Sequence, residues 1–305
     1  MLLRVLGSAA GGGFPQWNCG CPNCRGVREG TVPATPRTQE SLAVSADGRS
    51  WVVLNASPDL RTQIEAFPAL RPRARRSTPI AAVVLTNGDV DHVVGLFSLR
   101  ESQPLVVYAT ERVRRGLVDG NVLARTLDRF PGHVRWQRLV PGGSTPLVGP
   151  DGDTGLVLET VAVPGKPPIH LEGRVAHDPE DNVGVRLRAG RDGGVLAYLP
   201  GVGALGQAVH RALAGADVVF FDGTFWRSDE LGALGLGTRR AEQMGHVPVG
   251  GAAGSLAALA ALPARRRLYI HLNNTNPLLR DDSTERAAVA SAGWDVAHDG
   301  LELEL

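Results

Sequence analysis

The sequence reads Ile80-Ala-Ala-Val-Val-Leu-Thr86 and continues directly with Asn87-Gly-Asp-Val-Asp-His92. The first part is a continuous apolar run with the length and β-branching of a buried strand. Four polar side chains then follow at its carboxyl end, just before a predicted helix. Open α/β folds place their functional sites outside the carboxyl ends of their strands. The segment therefore predicts an α/β protein whose chemistry lies at residues 87–92.

Predicted elements extend from this strand in both directions. Upstream, Met1–Gly7 is a predicted strand, Glu40–Ala46 and Trp51–Ala56 flank Asp47-Gly48-Arg49 as a hairpin, and Asp59–Phe67 has helical spacing. Further strands are predicted at Leu105–Ala109, Leu156–Val163, Val183–Leu187, Val195–Leu199, Val218–Phe221 and Leu268–Leu272, and helices at Glu111–Val118, Ala204–Ala214, Ala252–Leu262 and Arg280–Ala292. This mixture of strand meanders and βα units predicts a four-layered α/β sandwich in one domain over residues 1–305.

Composition and charge exclude several classes of protein. The chain has 305 residues, with 32 Lys and Arg residues against 31 Asp and Glu residues, and a formal net charge of +1. This balance creates no electrostatic field that would attract nucleic acid or an anionic membrane. No apolar stretch approaches the roughly 18 residues that a membrane span needs, and the first residues lack the core of a signal peptide. We therefore expect a cytoplasmic protein without nucleic acid partners or a membrane span.

The three cysteines, Cys19, Cys21 and Cys24, lie within a Gly-, Pro- and Asn-rich loop predicted over residues 18–25. Thiolates at this spacing can converge on one Zn²⁺, and a structural zinc site needs a fourth ligand from elsewhere. A disulfide or three unrelated thiols are the alternatives, although an odd number of cysteines in a cytoplasmic chain disfavours the disulfide. We expect structural Zn²⁺ bound by the three cysteines.

The polar segment resembles the His-x-His-x-Asp-His signature of the metallo-β-lactamase superfamily. The matching positions are Asn87, Asp89, Asp91 and His92, so the last two ligands are present and both leading histidines are absent. The resemblance implies the αββα four-layer sandwich of that superfamily.

Other landmarks of the superfamily occur later in the chain. His271 ends a predicted strand and matches the histidine that closes the metal site. Asp222 resembles the acidic strand end of the tRNA-processing branch, and His246 resembles the Gly-His motif downstream of it; both are implied to be secondary ligands or acid–base groups. Residues 164–168 and 200–202 stand where a middle histidine motif and a bridging aspartate are usual, and they carry neither.

The remaining ligand set is Asp91, His92 and His271. A two-metal hydrolase needs the full set of superfamily ligands. Two imidazoles and one carboxylate with open positions are instead the ligands of non-haem Fe(II) oxygenases, which bind O₂ and substrate at the vacant positions. We therefore expect a catalytic Fe²⁺ in addition to the structural Zn²⁺. The alternative is a metal-free relative in which Asp91 only caps the following helix.

The chain as a whole resembles the family of pyrroloquinoline quinone (PQQ) biosynthesis B proteins. The resemblance is carried by residues 7–19, 37–39, 55–61, 91–92, 221–226, 244–246 and 271–277. It implies coenzyme PQQ biosynthesis, with two descriptions of activity. One is iron- and O₂-dependent hydroxylation of the tyrosine ring of a Glu-Tyr-derived precursor, and the other is transport of PQQ or its precursor towards the periplasm. The ligand set favours a hydroxylase, which is an oxidoreductase. The implied partners are a precursor dipeptide or peptide, PQQ, O₂ and other PQQ biosynthesis proteins.

Three residues are candidates for substrate binding. Lys166 is the single lysine of the chain and lies on the segment that would carry the missing middle histidine. Its ammonium could bind a substrate carboxylate or a developing phenolate, and a solvated loop lysine is the alternative. Asp89 lies within the polar segment and Asn273 follows His271 in the family motif.

The fourth zinc ligand is not assigned by the resemblance. In the related cysteine-cluster phosphodiesterases, a histidine three residues after the metal-binding histidine completes the zinc site. Asn274 occupies that position in this chain.

Overall fold

The computed structural model describes residues 1–190 and 193–305. The strands are β1 (Leu2–Gly7), β2 (Ser41–Ser45), β3 (Trp51–Leu54), β4 (Ile80–Val84), β5 (Leu105–Thr110), β6 (Val134–Leu139), β7 (Ser144–Gly149), β8 (Gly152–Ala162), β9 (Val183–Ala189), β10 (Val195–Leu199), β11 (Val218–Asp222), β12 (Arg266–Ile270), β13 (Asp295–Val296) and β14 (Glu302–Glu304). The α-helices are α1 (Pro22–Glu29), α2 (Leu60–Ala66), α3 (Val90–Val93), α4 (Glu111–Val118), α5 (Gln207–Leu213), α6 (Glu230–Ala233), α7 (Ser255–Ala258) and α8 (Thr284–Ser291). None of the helices in these residues is long and apolar enough to cross a membrane.

Within the described residues the strands form two seven-stranded mixed sheets. The first sheet has the order β14-β1-β2-β3-β4-β5-β6, and the second has the order β13-β12-β11-β10-β9-β8-β7. Strands β3 to β6 run parallel in the first sheet, and β10 to β13 run parallel in the second. Their carboxyl ends carry the polar segments that the sequence analysis singled out.

The core lies between the two sheets, with a second apolar layer outside each of them. Leu54, Val84 and Tyr108 of the first sheet belong to the same buried cluster as Tyr198 and Phe220 of the second. The alternate residues of the same strands, such as Val53 and Val83, pack instead against the outer helices. Burial of both faces explains why the central strands are continuous apolar runs. The predicted αββα four-layer sandwich is confirmed.

The predicted helix Ala252–Leu262 is wrong over most of its length. The structure has a helix only at Ser255–Ala258. The alanines of this stretch favour a helix, but Gly251 has φ +85° and a Cβ at Gly254 would lie 2.2 Å from the carbonyl oxygen of Gly250. The chain is therefore tightly turned where the helix was expected to begin.

Several elements escaped the sequence analysis. Strands β6 and β7 lie at the edges of the two sheets, and edge strands carry polar side chains that interrupt an apolar run. Helix α1 starts at Pro22, inside the loop predicted over residues 18–25. The Gly, Pro and Asn residues of this stretch predict a turn, but Pro is also favourable in the first turn of a helix.

Candidate metal centres

Residues that follow two strands, one from each sheet, meet at the first candidate metal centre. Asp91 and His92 lie in α3, which follows β4, and His271 directly follows β12. One ligand atom from each of the three lies within 4.8 Å of the others. The Asp91 Oδ2 atom is 3.2 Å from His271 Nε2 and 3.9 Å from His92 Nε2. The structure thus brings together the carboxylate and the two imidazoles predicted from the sequence.

The imidazole of His92 is oriented by an amide. His92 Nδ1 lies 2.7 Å from Asn87 Oδ1, and because an amide oxygen only accepts, Nδ1 carries the proton. His92 Nε2 then has a free lone pair; it is fully buried and has no hydrogen-bond partner among the described residues. A metal-binding histidine typically donates its other N–H to such an acceptor. In the sequence Asn87 is visible only as a lost ligand, because the contact with His92 depends on how the two side chains face each other.

His271 has an unusual backbone and a strongly held proton. Its φ is +62°, in the left-handed region, where a side chain other than glycine is strained and where functional residues cluster. Burial lowers the pKa of His271, but the hydrogen bond and charge of Asp91 outweigh burial and raise it to about 9. Without a cation the two residues therefore form a buried ion pair.

The other two members of the set have the charge states that a cation needs. Burial raises the pKa of Asp91, but the charge of His92 and the hydrogen bond from His271 outweigh it and keep that pKa below its usual range. Burial lowers the pKa of His92 to about 4, so its imidazole is neutral at neutral pH. A divalent cation fits between an ionised carboxylate, a neutral imidazole with an unused lone pair, and His271 once its Nε2 proton is displaced.

A buried carboxyl group lies behind this set. Glu40 is fully buried; its Oε2 atom is 2.9 Å from Asn55 Nδ2 and 3.5 Å from His92 Nε2. Glu40 Oε1 has no hydrogen-bond partner among the described residues, and burial raises the pKa of Glu40 to about 8. No motif pointed to Glu40, because it precedes a strand far from the other site residues in the sequence.

Asp222 and His246 form a second pair beside His271. His246 Nδ1 lies 2.8 Å from Asp222 Oδ2, and the rings of His246 and His271 stack with centroids 5.4 Å apart. Asp222 Oδ2 also accepts from the backbone N–H of Val202 at 2.8 Å. With Nδ1 held by Asp222, the free position of His246 is Nε2.

The candidate substrate residues Lys166, Asp89 and Asn273 differ in the contacts that they make. Lys166 Nζ is 3.8 Å from Asp89 Oδ1 and 3.9 Å from Glu172 Oε2, so it lies beside the polar segment without a short ion pair. Asn273 Nδ2 donates to Thr275 Oγ1 at 2.5 Å, so its amide group is engaged within its own segment. Gly11 also borders the set, because a Cβ there would lie 3.2 Å from Asp91 Oδ2.

The cysteines form a second candidate metal centre. The three sulfur atoms lie within 4.8 Å of one another, and all three cysteines are free rather than paired in a disulfide. Asn274 Nδ2 lies 3.1 Å from Cys19 Sγ, 3.7 Å from Cys21 Sγ and 3.4 Å from Cys24 Sγ. Rotation of this amide by half a turn would direct Oδ1 at the same three sulfurs. Three thiolates and one further donor are the set of a structural zinc site.

Comparison with known proteins identifies the family. A family model described as a beta-lactamase superfamily domain matches residues 50–272. The chain is 47% identical to coenzyme PQQ synthesis protein B from Methylobacterium sp. (strain 4-46), over 100% of both chains. It is 48% identical to the protein of the same name from Cupriavidus taiwanensis, over 99% of both. A crystal structure of Zn²⁺-bound PqqB from Methylobacterium extorquens superimposes with a TM-score of 0.93 at 43% identity, over 100% of both chains.

The fold also matches more distant proteins. A diphosphatase of the PhnP family, at 24% identity, superimposes with a TM-score of 0.68 over 100% of this chain and 97% of its own. This likeness concerns the fold alone, whereas the full-length matches above concern the family. The chain therefore belongs to the coenzyme PQQ synthesis protein B family of the β-lactamase superfamily, and takes part in coenzyme PQQ biosynthesis.

Proposed function

We propose that the protein is an iron- and O₂-dependent hydroxylase acting on the tyrosine ring of a Glu-Tyr-derived precursor of PQQ. The observation that carries this proposal is the ligand set of Asp91, His92 and His271, whose facing atoms lie within 4.8 Å of one another. Bound Fe²⁺ would supply the O₂-activating chemistry typical of two-imidazole, one-carboxylate sites. Each hydroxylation replaces a ring C–H by C–OH; the second oxygen atom leaves as water, with two electrons from an external reductant and two protons.

The pair of Asp222 and His246 is suited to moving protons. Asp222 holds Nδ1 of His246, which leaves Nε2 as the position that exchanges protons with a bound phenol. A carboxylate that fixes the tautomer and orientation of a histidine is a recurrent arrangement in acid–base catalysis. In this proposal Asp222 orients His246, and His246 Nε2 takes up or returns the phenolic proton.

Lys166 is proposed to bind a carboxylate of the substrate. Its side chain is largely buried and its nearest carboxylate contacts are as long as 3.8 and 3.9 Å. Contacts of this length leave N–H donors of the ammonium available for an anionic group. In this proposal the carboxylate of Asp89 partly offsets the positive charge of Lys166. Asn273 is proposed to line the substrate site as well.

The proposed Zn²⁺ at the cysteine centre is structural. The three sulfurs supply thiolates, and we propose Asn274 Oδ1 as the fourth donor because its amide faces all three of them. Cys21 lies at the N-cap of α1 and Cys24 within its first turn, so bound metal would fix the start of this helix. With four protein donors such a site would leave no coordination position open for a substrate, which supports a structural rather than a catalytic role.

Replacing Cys21 with Ser is expected to lower zinc content and stability together, because metal binding at such a site is coupled to folding. Zinc is measured by atomic emission and stability by thermal unfolding. Arg25→Ser on the exposed side of α1 is the matched control. A Cys21→Ser protein that keeps both its zinc and its melting temperature would contradict the structural site.

The protein is expected to have negligible β-lactamase or phosphodiesterase activity. Asn87, Asp89 and Val202 stand where a dinuclear site needs ligands and a bridge, and the Asn87 oxygen is already engaged by His92. Zinc-loaded protein is assayed on generic phosphodiesters beside an authentic hydrolase of the superfamily. Comparable turnover by the two proteins would refute this prediction.

The deciding assay for the hydroxylase uses protein reconstituted with Fe²⁺ without oxygen. O₂, ascorbate as reductant and Glu-Tyr dipeptide are then added, and mass spectrometry measures the gain of oxygen. A gain of one oxygen mass or a multiple, dependent on iron, supports the proposal. No gain with any tyrosine-containing precursor, together with tight stoichiometric binding of PQQ, would favour the alternative of a PQQ carrier.

A further inference from the structure

Asp222, His246 and His271 form a further group of side chains that could hold a metal ion, and the hydroxyl group of Thr224 lies among them. Thr224 Oγ1 is 2.7 Å from Asp222 Oδ1, 2.8 Å from His271 Nδ1 and 3.0 Å from His246 Nδ1. Thr224 is buried, with 3% of its surface exposed. The point on which these three side chains converge is therefore filled by an oxygen atom of the chain itself.

The donors and acceptors around this hydroxyl allow one assignment. An ionised Asp222 only accepts, and a hydroxyl has one proton and two lone pairs. The Thr224 hydroxyl donates to Asp222 Oδ1, and His246 Nδ1 donates to Asp222 Oδ2. The hydroxyl's lone pairs are then left to accept from His271 Nδ1.

Asp222 has no capacity left for a metal. Its Oδ1 atom accepts from the backbone N–H of Thr224 at 3.0 Å as well as from the Thr224 hydroxyl. Its Oδ2 atom accepts from the backbone N–H of Val202 and from His246. Four donors thus occupy the two oxygens, and a cation at this point would have to displace the Thr224 hydroxyl.

We propose that Thr224 is a positioning residue with two effects. It holds the proton of His271 on Nδ1, so that Nε2 presents its lone pair to the metal beside Asp91, and its hydroxyl excludes a second metal from the cluster of Asp222, His246 and His271. This inference rests on the proposed metal set of Asp91, His92 and His271, and it goes beyond that set by assigning one metal per active site and an outer residue that orients a ligand.

The test is metal titration of Thr224→Val and Thr224→Ser proteins that retain their cysteine-bound zinc. Val has nearly the shape of Thr without the hydroxyl, and Ser keeps the hydroxyl without the methyl group. Co²⁺ is added without oxygen; its visible absorption reports ligand geometry, and competition with a chelator gives affinity. Loss of an outer-shell partner of a metal-binding histidine typically costs about 10–100-fold in affinity.

We expect Thr224→Val to lose about 10–100-fold in Co²⁺ affinity, with an altered absorption band, and Thr224→Ser to stay within about threefold of the parent. The parent is expected to bind one Co²⁺ per chain besides the cysteine-bound zinc. A purely structural role predicts instead that both variants lose melting temperature while Co²⁺ affinity is unchanged. If Thr224→Val does not fold, Thr224→Ala serves, and retained zinc shows which proteins are folded.

Each negative result has a separate meaning. Equal Co²⁺ affinity of parent and Thr224→Val protein would overturn the positioning role, and a second equivalent of Co²⁺ in the parent, lost on replacing Asp222, would overturn the exclusion of a second metal. In both cases the proposed hydroxylase would stand. A parent that binds no metal at Asp91, His92 and His271 would overturn the proposed function and this inference together.

Discussion

A His271→Ala protein is expected to lose turnover and most of its affinity for the active-site metal while keeping the cysteine-bound zinc. His271 supplies one of only two imidazoles in the set and contacts Asp91 at 3.2 Å, so its removal deletes a ligand and leaves Asp91 without its counter-charge. The loss should exceed the roughly 10–100-fold effect of changing an outer-shell partner. His92→Ala should behave in the same way.

The measurement combines metal analysis with the oxygen-insertion assay. His210→Ala is the matched control, since His210 is an exposed histidine on α5 and belongs to none of the grouped ligands. Asp89→Ala should be milder, because Asp89 contacts Lys166 rather than belonging to the grouped ligands. A His271→Ala protein with parental iron content and turnover would exclude this ligand set.

The affinity of the active-site metal is expected to rise about tenfold for each pH unit between about pH 6.5 and pH 9. In the metal-free protein the pKa of His271 is raised from 6.5 to about 9, so a cation must displace one proton throughout this range. Of the other ligands, His92, with a pKa near 4, and Asp91, whose pKa lies below its usual range, bind no proton there. Glu40, whose pKa is raised to about 8, titrates in this range but is not one of the grouped ligands. Affinity should therefore fall as the pH falls.

The raised pKa of His271 also predicts that the stability of the metal-free protein falls as the pH rises, whereas metal affinity rises. A pKa raised in the folded state adds stability that is complete below the unfolded value of 6.5 and is lost as the pH rises through about 9. Zn²⁺ titrations at several pH values measure the first effect, and thermal unfolding of metal-free protein measures the second. A pH-independent metal affinity would show that His271 does not carry the displaced proton.

The sequence alone was sufficient to predict the strands that are buried on both faces. The β4 run Ile80–Val84 was recognisable because burial on both sides demands continuous apolar residues. The edge strands β6 and β7 were not, because each has a solvent-exposed side and polar residues along it. The helix expected at Ala252–Leu262 failed because alanine propensity is weak beside the turn at Gly251.

The residues of the candidate site also differ in whether the sequence alone could predict them. Asp91, His92 and His271 were found because each matches a position in a motif. Asn87, Thr224 and Glu40 were not recognised for their contacts, since their roles depend on which atoms face one another: Asn87 Oδ1 on His92, Thr224 Oγ1 on His271 and Glu40 Oε2 near His92. Such partners have no spacing of their own in a single sequence.

His271 and Asn274 lie on one buried segment after β12, three residues apart, with His271 facing Asp91 and Asn274 facing the cysteine sulfurs. Between them, Leu272 forms backbone hydrogen bonds with Ser8 and Ala10, in the segment that follows strand β1 of the opposite sheet. Loops between secondary-structure elements ordinarily tolerate insertions and deletions. This connection has no such freedom, because its length is set by two centres at once. If a single residue were added or removed between 271 and 274, His271 and Asn274 could not both keep their positions. One of the two centres would lose its residue.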